Sequence, residues 1–206
     1  MFNNFNVDHR LRINPKSFPD VFAAPLTIYV NEFDEESVAK FKKDMEAAQN
    51  TGQDVIPIVI DSYGGYVYSL LAMIDIIQQF PTTVATIGLG KMMSCGSVLL
   101  TCGCEGYRYA SPNSTVMIHD VSSWAGGKNE EIQSSAAQTN KLNKKIFEIM
   151  AKNCGHEKSY FLDKLFQKHH AEWYLSSAEA KKENIIQNIK VPSFNIDIKV
   201  DVTWAS

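Results

Sequence analysis

Three features of this 206-residue chain have residue types and settings that could do chemistry: Ser94, His119 and the pair Gly64-Gly65. Ser94 opens a compact apolar run, Cys95-Gly-Ser-Val-Leu-Leu100, that reads as a helix. At a helix start the backbone N–H groups lack intrahelical partners, and the dipole favours negative charge. A serine placed there can attack a carbonyl while those amides hold the developing oxyanion. The same position is also an ordinary helix cap, so Ser94 alone does not define a nucleophile. It is not expected to form a nucleophile elbow, because Met92 stands where that motif has glycine.

Gly64-Gly65 follows the buried-looking run Val55-Ile-Pro-Ile-Val-Ile60. Glycine lets a second backbone come close and leaves its own N–H reachable. Neither the P-loop nor the dinucleotide spacing is present, which excludes a phosphate cradle of those types. His119 closes the apolar segment Thr115–Ile118, at a strand end where loops carry function. A histidine there suits a general base, and equally a hydrogen-bonded structural residue. Order and spacing, more than any one residue, carry the signal.

The elements that must position these groups follow from periodicity and punctuation. Leu26–Val30 reads as a strand. Asp34-Glu35-Glu36 caps and opens a helix with an apolar stripe at Val38, Phe41, Met45 and Ala48. The run 55–60 suits a strand covered on both faces. Val67, Leu70, Leu71, Ile74 and Ile77 mark a helix that Pro81 ends. Thr83–Gly88 is predicted as a strand, followed by a glycine-punctuated turn over Gly88–Met93. Tyr107–Ala110 and Thr115–Ile118 are further strands, with a turn at Ser111-Pro-Asn between them. Glu130–Asn153 is a helix stopped by Gly155, and Ser176 with Glu179 forms a capping box. Alternating strands and helices predict an α/β fold with largely parallel pairing.

Bulk properties bound the function. Hydrophobic residues are 45%, charged residues 21%, and the formal net charge is −3. This is globular composition, without the basic face of a nucleic-acid binder. No apolar stretch reaches membrane-span length, and the first residues lack a secretory h-region, so a cytoplasmic protein is expected. The four cysteines (Cys95, Cys102, Cys104 and Cys154) lack zinc-finger partners and are expected to be reduced and packed. No metal and no cofactor is expected.

Four ordered blocks make the chain resemble the ClpP family, the proteolytic subunit of the Clp protease, over roughly residues 26–190. Asp61-Ser62-Tyr63-Gly64-Gly65 matches the family's Asn-Ser-Pro-Gly-Gly turn. Ser94-Cys95-Gly96 matches its Ser-Met-Gly nucleophile context. Pro112–His119 matches the Pro-Asn-Ser turn leading to Val-Met-Ile-His, and Leu175–Ala180 matches a later Leu-Ser/Thr-Ala block. The resemblance implies a ClpP/crotonase-like fold of repeated β-β-α units with a protruding strand-helix handle. It implies a serine endopeptidase that cuts peptides or unfolded proteins through an acyl-enzyme. Ser94 is then the nucleophile, His119 the base, and the N–H groups of Gly65 and Cys95 the oxyanion hole. Backbone at Gly64 and Tyr66, and at Trp124, Gly126 and Gly127, would hold an extended substrate as an added strand. It also implies a homo-oligomeric chamber, a heptameric ring that can stack as a tetradecamer, and an ATP-dependent unfoldase as partner. The expected organisation is an arm (1–25), a peptidase domain (26–190) and a tail (191–206).

The chain departs from that pattern at several points. The family's triad aspartate is Glu172 here, and glutamate can serve as the orienting acid. Asp120, next to His119, should point to the opposite face. The acidic–basic pair that links rings is His170-Ala171, and the proline after the residue following the histidine is Val121. Residues 1–25 hold no counterpart of the axial loops that meet the unfoldase. Tyr63, Tyr66 and Met92-Met93 are bulky, which predicts a narrowed or more aromatic primary specificity pocket. Two other functions stay open: a crotonase-like acyl-CoA enzyme, which needs a carboxylate near the thioester, and a non-catalytic ring subunit.

Overall fold

The computed structural model describes residues 25–193. The expected arm and tail therefore lie outside the described residues, apart from Pro25 and residues 191–193. A short strand β1 (Ile28–Val30) leads to helix α1 (Glu35–Asn50). Asp34 caps α1 by accepting from the Ser37 N–H at 2.7 Å, while Ser37 Oγ accepts from the Asp34 N–H at 2.8 Å. This reciprocal box satisfies two orphan amides, and Phe41, Met45 and Ala48 form the buried stripe.

Strand β2 (Val55–Ser62) pairs in parallel with β1 on one side and with the long strand β3 (Thr83–Met93) on the other. Helix α2 (Val67–Gln79) connects them, burying Leu70, Met73, Ile74 and Ile77. Central strands enclosed in this way explain the near-continuous apolar run 56–60, all of it buried.

β3 corrects the turn expected at 88–93: the strand runs on to Met93. The pairing offset with β2 changes between Ile60↔Gly88 and Ser62↔Met92, so two extra residues of β3 bulge out there. Gly90 takes φ +64° in that bulge, and a Cβ on it would lie 3.1 Å from Asp61 Oδ1. Asp61 also accepts from Lys91 Nζ at 2.7 Å, pinning the distortion. The glycines that read as a strand end in fact mark a bulge inside a strand.

The bulge splits one edge of β3 between two partners. Residues 86–88 pair with β4 (Arg108–Ala110), and residues 91–93 pair with β5 (Thr115–Ile118). Helix α3 (Cys95–Leu100) lies between β3 and β4 in sequence, with every residue buried. Helix α4 (Asn129–Cys154) ends at Gly155 in the left-handed conformation, as its sequence predicts. Then come α5 (Tyr160–Gln167), β6 (Trp173–Ser176), α6 (Ser177–Lys182) and β7 (Asn188–Ile189). β6 pairs antiparallel with β5, and β7 pairs in parallel with β4. The Ser176–Glu179 capping box is present. α5, β6 and β7 have no counterpart among the elements expected from sequence.

The result is a mixed α/β molecule with a mostly parallel seven-stranded sheet, described by the order β1-β2-β3-β4-β7 with β5 and β6 attached to β3's far end. The helical half of the expected handle is α4, whose residues Asn129–Gln138 are all exposed. Residues 119–128, leading into it, carry no ladder partner among the described residues.

Candidate active site

β2, β3 and β5 run in parallel and finish at the same end of the sheet, and each delivers one candidate group. After β2 comes Gly64-Gly65, after β3 comes Ser94, and after β5 comes His119. The register Met93↔Met117 places Ser94 and His119 just beyond adjacent strand ends. The Ser94 N–H donates to the Met117 carbonyl at 2.9 Å, tying the nucleophile candidate to the strand that carries the base candidate.

Ser94 has φ +54° and ψ −120°, a backbone conformation that costs a non-glycine residue about 1–3 kcal/mol. Despite Met92, the local path is therefore a strand, a strained serine and a helix, as in a nucleophile elbow. Gly64 supplies the space from across the site. A Cβ on Gly64 would stand 2.6 Å from Ser94 Cβ and 3.1 Å from Ser94 Oγ, and Gly64 itself has φ +106°. Packed against the serine, this position admits only glycine.

Gly65 is held from its other side. It bridges Phe33 in parallel fashion, and the Tyr66 N–H donates to the Phe33 carbonyl at 2.7 Å. A Cβ on Gly65 would meet the Phe33 carbonyl oxygen at 2.6 Å. Among the described residues neither the Gly65 N–H nor the Cys95 N–H makes a hydrogen bond. The Cys95 side chain is buried and its thiol donates to the Gly65 carbonyl at 3.3 Å. Burial pushes that thiol up to about 11.

A cavity of about 40 Å³ opens at this point. Gly65, Ser94, Cys95 and His119 line it together with aliphatic walls from Val67, Val98, Ile118 and Ile146, and with Phe147. The bulky residues expected to narrow the pocket stand elsewhere. Met92 is fully buried and lies against Gly88, while Tyr63 and Tyr66 are 73% and 72% exposed. No carboxylate is among the lining residues.

Glu172 immediately precedes β6, and the antiparallel register Ile118↔Trp173 sets it opposite His119 one step further along. Its carboxylate accepts from Tyr174 Oη at 2.6 Å. That bond raises the Tyr174 hydroxyl above its ordinary range. Among the described residues, no hydrogen bond joins Ser94 to His119 or His119 to Glu172. Asp120 turns away as expected: it accepts from Asn143 Nδ2 and from the imidazole Nδ1–H of His170, each at 2.6 Å.

Trp124, Gly126 and Gly127 lie on the unpaired segment between His119 and α4, and Trp124 is 91% exposed. Sequence reasoning missed the Cys95–Gly65 contact, which joins segments 30 residues apart, and the Tyr174–Glu172 contact between side chains two residues apart. Among the described residues no group of His, Cys, Asp or Glu is arranged to hold a metal ion. No helix among them is long and apolar enough to cross a membrane.

Comparison with known proteins gives a consistent picture. The family model described as Clp protease matches residues 21–192. Two relatives from different strains of Bacteroides fragilis, each named ATP-dependent Clp protease proteolytic subunit, are 35% identical over 140 residues. The matched part is 68% of this chain and spans 65% and 61% of those relatives' lengths.

Proposed function

Because the chain belongs to the Clp protease family, we propose that it is a serine peptidase that hydrolyses peptide bonds through an acyl-enzyme on Ser94. One observation carries this reading: a strained serine and a histidine from adjacent strand ends line one cavity, beside two backbone N–H groups without partners. Ser94 Oγ attacks the scissile carbonyl while His119 accepts its proton, and later returns a proton to the leaving amine. The N–H groups of Gly65 and Cys95 stabilise the oxyanion. Water then attacks the ester, with His119 again as base, and releases the acid.

Glu172 orients His119 from the neighbouring strand in place of the family's aspartate. Its register position supports the assignment, and the direct hydrogen bonds would form in the substrate complex, where catalytic contacts tighten. The free edge at 122–127 receives an extended substrate by strand addition, opposite the backbone at Gly64 and Tyr66. The aliphatic cavity takes the substrate side chain just before the scissile bond. An empty cavity of about 150 Å³ admits benzene, so 40 Å³ suits a small aliphatic group.

As in the relatives' name, the chain would act as the proteolytic subunit of an ATP-dependent machine in the cytoplasm. Homo-oligomeric rings would form its chamber, and a separate unfoldase would feed it. The acyl-CoA alternative lacks support, since no carboxylate lines the cavity.

A fluorophosphonate probe tests the chemistry. It is expected to label the wild-type protein, to leave Ser94→Ala unlabelled, and to be competed by peptides with alanine or valine before the scissile bond better than by phenylalanine analogues. Wild-type protein that resists labelling at every concentration where it assembles would favour a non-catalytic ring subunit. Equal competition by alanine and phenylalanine peptides would refute the pocket assignment.

A further inference from the structure

The two amides assigned to the oxyanion hole belong to different segments, the turn after β2 and the head of α3. The β2–β3 ladder stops at Ser62↔Met92, short of both. Gly65 has φ +152° and no side chain to anchor it. Toward Phe33 it is blocked by backbone contact, but that contact does nothing to fix it against α3.

We propose that the Cys95 side chain is a positioning group for the oxyanion hole, its S–H holding the Gly65 carbonyl so that the Gly65 N–H stays aimed beside the Cys95 N–H. This rests on the peptidase reading above. Cys95 Sγ lies 3.3 Å from the Gly65 oxygen, within reach for a sulfur donor, and the residue is 2% exposed, so water does not compete. The Gly65 carbonyl and N–H flank the same α-carbon, and holding one restricts rotation of the other. The thiol remains protonated, and therefore a donor, throughout the neutral range because burial lifts it to about 11. A protonated thiol is a poor nucleophile, so Cys95 does not compete with its neighbour Ser94 for substrate. Its role is geometric, and geometry matters because about 1 Å of misplacement costs roughly 100-fold in rate.

Three substitutions separate donor from volume. Cys95→Val fills similar space without a donor, Cys95→Ala removes both, and Cys95→Ser keeps a shorter-reaching donor. Cys95→Val and Cys95→Ala are expected to lower kcat about 10-fold with KM changed less than about 2-fold, because the loss falls on the transition state. Cys95→Ser should recover part of that loss. Hydrogen exchange supplies a readout independent of turnover: amides in 62–67 should exchange faster in the valine and alanine variants than in wild type or the serine variant. Wild-type kcat in Cys95→Val, or a serine variant as slow as the valine one, would overturn the proposal for catalysis. Unchanged exchange in all three would overturn the tether itself. Wild type that never labels with fluorophosphonate would sink the peptidase reading while leaving the exchange result interpretable.

Discussion

In the role proposed for it, Glu172 carries one more methylene than the aspartate it would replace, and Tyr174 restrains that longer arm. Tyr174, in β6, lies two residues on from Glu172, and its hydroxyl holds one carboxylate oxygen at 2.6 Å. An aspartate at 172 would fall short of that hydroxyl. Glu172→Asp is therefore expected to lose activity about 10-fold, and Glu172→Gln, which removes the charge that supports an imidazolium, about 100-fold or more. Steady-state peptide cleavage measures both; a faster Glu172→Asp would show that the site is a degraded copy of an aspartate site. At the level of residue types, the sequence pointed to several of the groups that the structure brings together. Ser94, His119 and Gly65, singled out by residue type and setting, line one cavity, and Gly64 proves to be glycine because Ser94 occupies its Cβ space. The contacts of Cys95 and Tyr174 were not legible. The first depends on segments 30 residues apart meeting in the fold, and the second on the rotamer that a tyrosine adopts.

Elements whose boundaries depend on local rules were read well, and those that depend on tertiary partners were not. Asp34, Ser176 and Gly155 act through caps that involve only neighbours in sequence. By contrast, the glycines at 88–90 predict a strand end by local propensity, yet β3 continues because β2 and β5 supply ladder partners on both sides of the bulge. β7 has two residues and exists only as a partner of β4. What holds this second half of the sheet to the helices is Arg108 on β4, a charged residue only 2% exposed. Its Nη1 donates to the Asn153 carbonyl near the end of α4, and its Nη2 to the Asn184 carbonyl at 3.0 Å. Glu105, 3.8 Å away and largely exposed, contributes little. Arg108→Met keeps the apolar stem and leaves these carbonyls without a donor, so a loss of about 3 kcal/mol is expected in urea unfolding. A loss under about 1 kcal/mol would show that water replaces the guanidinium.

For the whole molecule, the question is what covers α4. Its last turns are anchored through Ile146, Phe147, Met150 and Cys154, but Asn129–Gln138 projects with every residue exposed. Most helical stability in proteins comes from packing an apolar face, and these nearly three turns bury none, so they have little to stabilise them. Along this projection Ile132 is exposed, as is Trp124 on the segment leading to it. The tie back to the body is light: Gln138 Nε2 donates to Tyr68 Oη at 2.8 Å, between two exposed side chains. The same projection begins where the segment proposed to bind substrate, 122–127, ends, which links its support to the proposed site. Neighbouring copies in a ring would cover it, and in doing so would fix the segment that follows His119. Mass photometry of the wild type is therefore expected to show species at seven, or fourteen, times the chain mass. Ile132→Asp combined with Trp124→Ser should shift the distribution toward single chains and lower peptide cleavage at least 10-fold, while far-UV circular dichroism loses only the signal of the projecting turns. A single chain that labels with fluorophosphonate as fast as any larger species would show that the site closes without a neighbour, and the projecting helix would then need another explanation.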